Sequence, residues 1–223
     1  MSINTHLKHL TDCFELFQDE AQAKKMSAYM KGLFPYYGVS APQREQIQKE
    51  WFASIKGTQY DFWELIIALY DREEREFQMV AIDLLKKRPV KQYELDDWKQ
   101  LERVLVSKSW WDTVDLIASN YVGNYFKRFP EQLEMVIDRW RESDNMWLNR
   151  TCLIFQLKYK EKLDFELLVG LIDQFKGNKE FFIQKAIGWS LRQHSKFDPE
   201  SVRDYLDQSG LVGLAKREAS KYL

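Results

Sequence analysis

Met146-Trp147-Leu148-Asn149-Arg150-Thr151-Cys152-Leu153 has two counterparts elsewhere in the chain, Arg75-Glu76-Phe77-Gln78-Met79-Val80-Ala81-Ile82 and Phe181-Phe182-Ile183-Gln184-Lys185-Ala186-Ile187-Gly188. In each, an amide side chain (Asn149, Gln78 or Gln184) follows a bulky apolar residue and precedes a long side chain and then smaller ones. Asn149 and Gln184 lie 35 residues apart, and Gln78 and Asn149 lie 71 apart, close to two periods. A period of about 35 with two helices per unit marks a helical solenoid, in which each unit buries its apolar face only against its neighbours. A further unit is expected near residue 113 or 114.

Helical spacing dominates outward from these segments. Leu7, Leu10, Phe14 and Phe17 step by three or four, as do Phe62, Leu65, Ile66 and Leu69, and then Phe77, Val80, Ala81, Leu84 and Leu85. A helix over Ala21 to Lys31 stops near Gly32, and Ser40 is placed to cap the helix carrying Arg44, Ile47 and Trp51. Pro89 ends one helix and Pro130 begins another. No stretch reads as a strand or as an interdomain linker. The expected fold is all-α, an α–α superhelix of helical repeats curved into a solenoid with a concave groove, as a single domain over residues 1–223.

Composition narrows the function classes. A chain of 223 residues that is 45% hydrophobic and 30% charged can bury a substantial core. Its apolar runs fall far short of the roughly 20 residues that span a bilayer, and Met1 to Leu10 is too polar for a secretory signal. Cys13 and Cys152 are too few for a disulfide framework, so a reducing cytoplasm is expected. His6 and His9 share a face but have no companion ligands, so no metal is expected. Ser107, Ser109 and Thr113 lack a histidine, and no Gly-rich loop suggests a nucleotide, so no cofactor is expected. A net charge of −1 leaves nucleic-acid binding open, because the distribution of charge decides.

Where the further unit should fall stands Ser107-Lys108-Ser109-Trp110-Trp111-Asp112-Thr113-Val114-Asp115. If Trp111 opens a helix, Asp115 is one turn on and shares its face. Trp111 can pack inward, with Asp112 and Asp115 only enriching a helix first turn. Alternatively, an indole beside a carboxylate can hold something flat, sugar-like or cationic. On a helix read over Lys179 to Lys196, Ile183, Ile187 and Leu191 form a buried stripe, while Lys185, Gly188, Trp189 and Arg192 form a second, basic and aromatic one. Gly188 is read there as a point of close approach to the backbone. On a helix read over Asn145 to Lys160, Trp147, Arg150, Thr151 and Lys158 lie off the buried stripe. Lys108, Arg150, Lys185 and Arg192 can thus form a ladder of phosphate contacts, or be four unrelated surface charges.

These residues resemble the AlkD-type alkylpurine DNA glycosylases. The similar motifs are residues 108–115, 143–150, 155–160 and 179–189, with Arg75 to Gln78 and Lys216-Arg217-Glu218-Ala219 also alike. The resemblance implies release of cationic N3- or N7-alkylated purines, such as 3-methyladenine and 7-methylguanine, from duplex DNA. It implies Asp115 as the catalytic aspartate and Trp111 and Trp189 as sugar-contacting tryptophans. Arg150 is matched to an arginine gripping the DNA backbone, and Tyr29 to a tyrosine at the amino-terminal end of the groove; Lys108, Lys185, Arg192 and Trp147 join them as DNA contacts. A monomer is expected, and the damaged base is expected to stay stacked. A DNA-binding protein that senses damage without cutting, and a protein-binding scaffold, are the alternatives.

Overall fold

A computed structural model describes residues 2–223. Its contacts divide the chain after Lys87 into two compact units. The first holds α1 (Ile3–Leu16), α2 (Glu20–Tyr29), α3 (Ala41–Ile55), α4 (Phe62–Tyr70) and α5 (Arg75–Lys87). In the second are α6 (Asp97–Val106), α7 (Trp111–Leu116), α8 (Gly123–Arg128), α9 (Leu133–Arg141) and α10 (Met146–Ile154). It ends with α11 (Phe165–Phe175), α12 (Phe181–His194), α13 (Pro199–Gln208) and α14 (Gly213–Ala219). The fold is all-α, as the spacing predicts, with no strand among the described residues.

The repeated amide has a physical role. Gln78 Nε2 donates to the carbonyls of Leu69, Tyr70 and Arg72 (3.3, 3.3 and 2.8 Å), at the end of α4. Asn149 Nδ2 makes the same three bonds, to Trp140, Arg141 and Ser143 (2.9, 3.4 and 2.9 Å), at the end of α9. Gln184 Nε2 reaches Lys176 and Asn178 (3.3 and 2.7 Å), past the end of α11. The offsets match residue for residue. The last carbonyls of a helix have no partner within it, so an amide on the second helix of each pair satisfies them and ties the pair together. At the position equivalent to Asn149, 35 residues earlier, stands Val114, which carries no amide. There the Ser109 hydroxyl donates to the Leu105 carbonyl at 2.6 Å, nine residues before Val114 as Trp140 is nine before Asn149. The repeat is real, and its fourth member uses a different side chain for the same carbonyl.

Helix caps agree with the sequence where they are local. Ser40 precedes α3, and its backbone N–H donates to Gln43 Oε1 at 3.3 Å in a capping box. Asn145 caps α10, accepting from Trp147 and Leu148. Two predicted helices are shorter than their periodicity suggests. The one read over Asn145 to Lys160 stops at Ile154, because Gln156 exchanges two hydrogen bonds with the backbone of Asp164 (3.1 and 2.8 Å) and Lys160 takes a φ of 56°. That read over Lys179 to Lys196 spans Phe181–His194. The single buried stripe expected on the former is also too narrow. Every residue from Leu148 to Ile154 is buried, since α6, α7, α9, α11 and α12 all pack on α10.

In the first unit, Glu76 is buried and accepts the backbone N–H groups of Tyr37, Gly38 and Val39 (3.3, 3.0 and 3.2 Å). Gly38 sits at φ 87°, and a Cβ there would stand 2.1 Å from the Asp19 carbonyl oxygen. Neither the conformation nor the space admits a side chain. Gly38→Ala is expected to destabilise the protein by on the order of 3 kcal/mol, read as a lowered urea midpoint; an unchanged midpoint would mean that the 36–40 loop rearranges freely.

Candidate active site

Trp110 adopts extended backbone and α7 begins at Trp111, so Asp115 lies one turn along the same helix, as expected. The chain then widens into a π-helical turn, Ile117–Val122, before α8. Such a turn frees carbonyls from the α ladder. Ser119 Oγ takes that of Asp115 (2.8 Å) and Asn120 Nδ2 that of Leu116 (2.7 Å). Asn120 in turn pairs with Lys158.

A guanidinium holds the Asp115 carboxylate at both oxygens. Arg150 Nε donates to Oδ1 at 2.7 Å and Nη2 to Oδ2 at 2.8 Å. Nη1 donates to the Phe182 carbonyl, and the guanidinium carbon lies 5.9 Å from the Phe182 ring centre. The two residues are 35 positions apart, one repeat, so each is the other's equivalent in the neighbouring helix pair; Lys185 stands one repeat further on. Burial raises the Asp115 carboxyl above the ordinary aspartate range, with the Asp112 charge acting in the same direction and the Arg150 bonds opposing. Bidentate pairing leaves each oxygen a further lone pair to present to solvent or ligand.

Asp115 and Arg150 form one wall of a cleft of about 360 Å³, lined also by Trp111, Phe181, Phe182, Lys185, Trp189 and Arg192. Trp189, Lys185 and Arg192 all come from α12, which gives the cleft an aromatic and basic side. Six of the expected site residues therefore meet in one place. Arg150 is only 4% exposed, however, and three of its nitrogens are engaged inside the protein, whereas the resemblance implied a grip on the DNA backbone. Lys185 and Arg192 are also committed, to Glu218. Trp147 stands off the cleft, packed against Trp110 and Phe182 at ring-centre distances of 5.7 and 5.0 Å. Lys108 occupies the turn before α7 at φ 46° and does not line the cleft. Tyr29 belongs to the other unit, 69% exposed, in a hollow with Gln22, Lys25, Met26, Met30 and Tyr36.

Gly188 was read as a place for a ligand to approach; it serves a different neighbour. A Cβ on it would stand 2.4 Å from Glu218 Cβ and 2.8 Å from the Ala215 carbonyl oxygen, so the glycine is what lets α14 close on α12. Phe181, 57% exposed, and Phe182 also line the cleft; they begin a repeated segment, but nothing in the spacing marks them for the site. Among the described residues no group of three or more His, Cys, Asp or Glu side chains is arranged to hold a metal, and no helix is long and apolar enough to cross a membrane.

The fold and cleft define an all-helical repeat protein with a half-buried carboxylate paired to a buried guanidinium in a cleft they share with two indoles. Residues 10–223 match the family model described as DNA alkylation repair enzyme, and the chain belongs to that family. Its place is thus in DNA repair. A solved structure titled "Predicted DNA alkylation repair enzyme from Enterococcus faecalis" is similar at 36% identity and a TM-score of 0.84, over 92% of this chain and 96% of that one. A search of curated proteins found no match.

Proposed function

We propose that the protein is a DNA glycosylase that hydrolyses the N-glycosidic bond of N3- and N7-alkylated purines in duplex DNA. The observation that carries this reading is the Asp115 carboxylate, oriented at both oxygens by Arg150 in a cleft shared with Trp111 and Trp189. An alkylated purine carries a positive charge and departs as a neutral base, taking the electron pair of the C1′–N bond. No general acid is needed, so one carboxylate suffices where ordinary glycoside hydrolysis uses two. Positive charge then develops on the deoxyribose. Asp115 stabilises it across the cleft and orients the water that adds to C1′ and gives up a proton. Trp111 and Trp189 offer π faces to the same cation, at about 1–2 kcal/mol each when desolvated.

In this reading the whole chain works as one domain of HEAT-like repeats, a monomer without cofactor that acts in the cytoplasm. The duplex is received at the cleft, and the damaged base stays stacked. Lys185 and Arg192 contact the strand from the cleft, Lys108, Trp147 and Tyr29 are further DNA contacts, and Arg150 acts through Asp115.

Free 7-methylguanine released from methylated duplex DNA tests the proposal directly; no release above the uncatalysed rate would defeat it. The pH profile tests the role of Asp115. Only the ionised carboxylate stabilises the sugar cation, so activity is present above the carboxyl's folded-state pKa and lost below it. Because that pKa is raised, the single-turnover rate, corrected for spontaneous depurination, should begin to fall above pH about 4, the ordinary aspartate value. A profile flat down to that pH would exclude Asp115 as the required base form.

A further inference from the structure

Lys185 and Arg192 line the cleft, yet each is held from behind by one carboxylate. Glu218 Oε1 lies 3.2 Å from Lys185 Nζ, and Oε2 accepts from Arg192 Nη1 at 2.6 Å. Lys221 Nζ donates to both oxygens at 2.9 Å. The Glu218 side chain is 8% exposed, and it stays ionised: hydrogen bonds from Lys221 and Lys185 hold its carboxyl down at about 2 against the pull of burial. Three cations around one anion leave this cluster two net positive charges, and two of the cations, Lys185 and Arg192, line the cleft. The carboxylate comes from α14 and reaches the cations of α12 only because Gly188 lets the two helices approach.

Two long cationic side chains close together repel each other and, untethered, sample many rotamers. A buried carboxylate shared between them cancels the repulsion and fixes both heads, without neutralising the pair.

We propose that Glu218 is a positioning residue for DNA: it presents Lys185 and Arg192 side by side at the cleft so that both meet backbone phosphate oxygens flanking the damaged nucleotide. This rests on the glycosylase reading for its ligand, but not on the bond being cut. The alternative is that Glu218 is only a staple between α12 and α14.

Binding of a fluorescent duplex, followed by anisotropy, separates the two. Glu218→Gln keeps the size and loses the charge, and should weaken duplex binding about tenfold, the order expected for charge-assisted contacts that lose their alignment. Glu218→Asp should recover part of it. In a Lys185→Gln, Arg192→Gln background the same Glu218→Gln change should weaken binding no further, while still lowering the urea midpoint. Additive losses in that background, or unchanged affinity in Glu218→Gln alone, would overturn the proposal. The Lys185→Gln, Arg192→Gln pair leaves Glu218 held by Lys221 and serves if Glu218→Gln does not fold; unchanged duplex affinity in that pair overturns it equally. If the parent protein binds duplex DNA but releases no base, the glycosylase reading fails while these comparisons still decide the role of Glu218. No duplex binding by the parent defeats both.

Discussion

Asp115→Asn is expected to slow the release of 7-methylguanine by about 10²–10³-fold or more at saturating protein, the range for removing one preorganised electrostatic partner of a transition state. Asparagine nearly matches aspartate in shape and retains one carbonyl oxygen for Arg150, so the cleft keeps its outline. What disappears is the negative charge facing the sugar. The change also leaves the Arg150 guanidinium, 5% exposed in its side chain, without a counter-charge. A stability loss of about 1–3 kcal/mol should accompany it, so the assay belongs at a temperature where circular dichroism shows the variant folded. DNA affinity should survive, because the variant removes a negative charge from beside a polyanion. Equal release by variant and parent would remove Asp115 from the mechanism.

Arg150→Leu should be the most destabilising substitution in the cleft. It strips both oxygens of Asp115 and the Phe182 carbonyl of their donors in one step. Breaking a buried pair by removing one partner costs about 3–5 kcal/mol, because the other charge is left desolvated, and the urea midpoint should fall accordingly. Asp115 should become easier to protonate, moving the acid limb of the rate profile to higher pH. Arg150→Lys keeps the charge but not the fork, and should restore only part of either property. A purely DNA-gripping arginine would behave differently: affinity would fall, while stability and the position of the acid limb would hold. The paired geometry argues for the first outcome.

The resemblance to a repair family pointed at Asp115, Trp111 and Trp189, and the cleft brings all three together. It pointed at Arg150 as well, but toward the DNA, whereas the guanidinium turns to Asp115. The period puts Asp115, Arg150 and Lys185 35 residues apart in succession, at equivalent positions on stacked helices, but does not say which of them pair. The phosphate ladder was read from helix faces alone, and a helix face says nothing of what packs on it. α10 turned out to be enclosed by five other helices, and Lys185 and Arg192 to be gathered by a glutamate 33 and 26 residues downstream. Glu218 lies within a motif already noted, yet nothing in its neighbours marks it as their anchor.

By itself, the sequence determined what short-range geometry can enforce: helices, caps, and the amide that closes three of the helix pairs over six to nine residues. It also determined the period that placed an aspartate where its repeat mates carry an arginine and a lysine. The tertiary structure alone decided which charge meets which, for those meetings depend on how closely two helices approach and which rotamers fit between them. A glycine at residue 188 sets that distance for α12 and α14. No spacing along the chain encodes it.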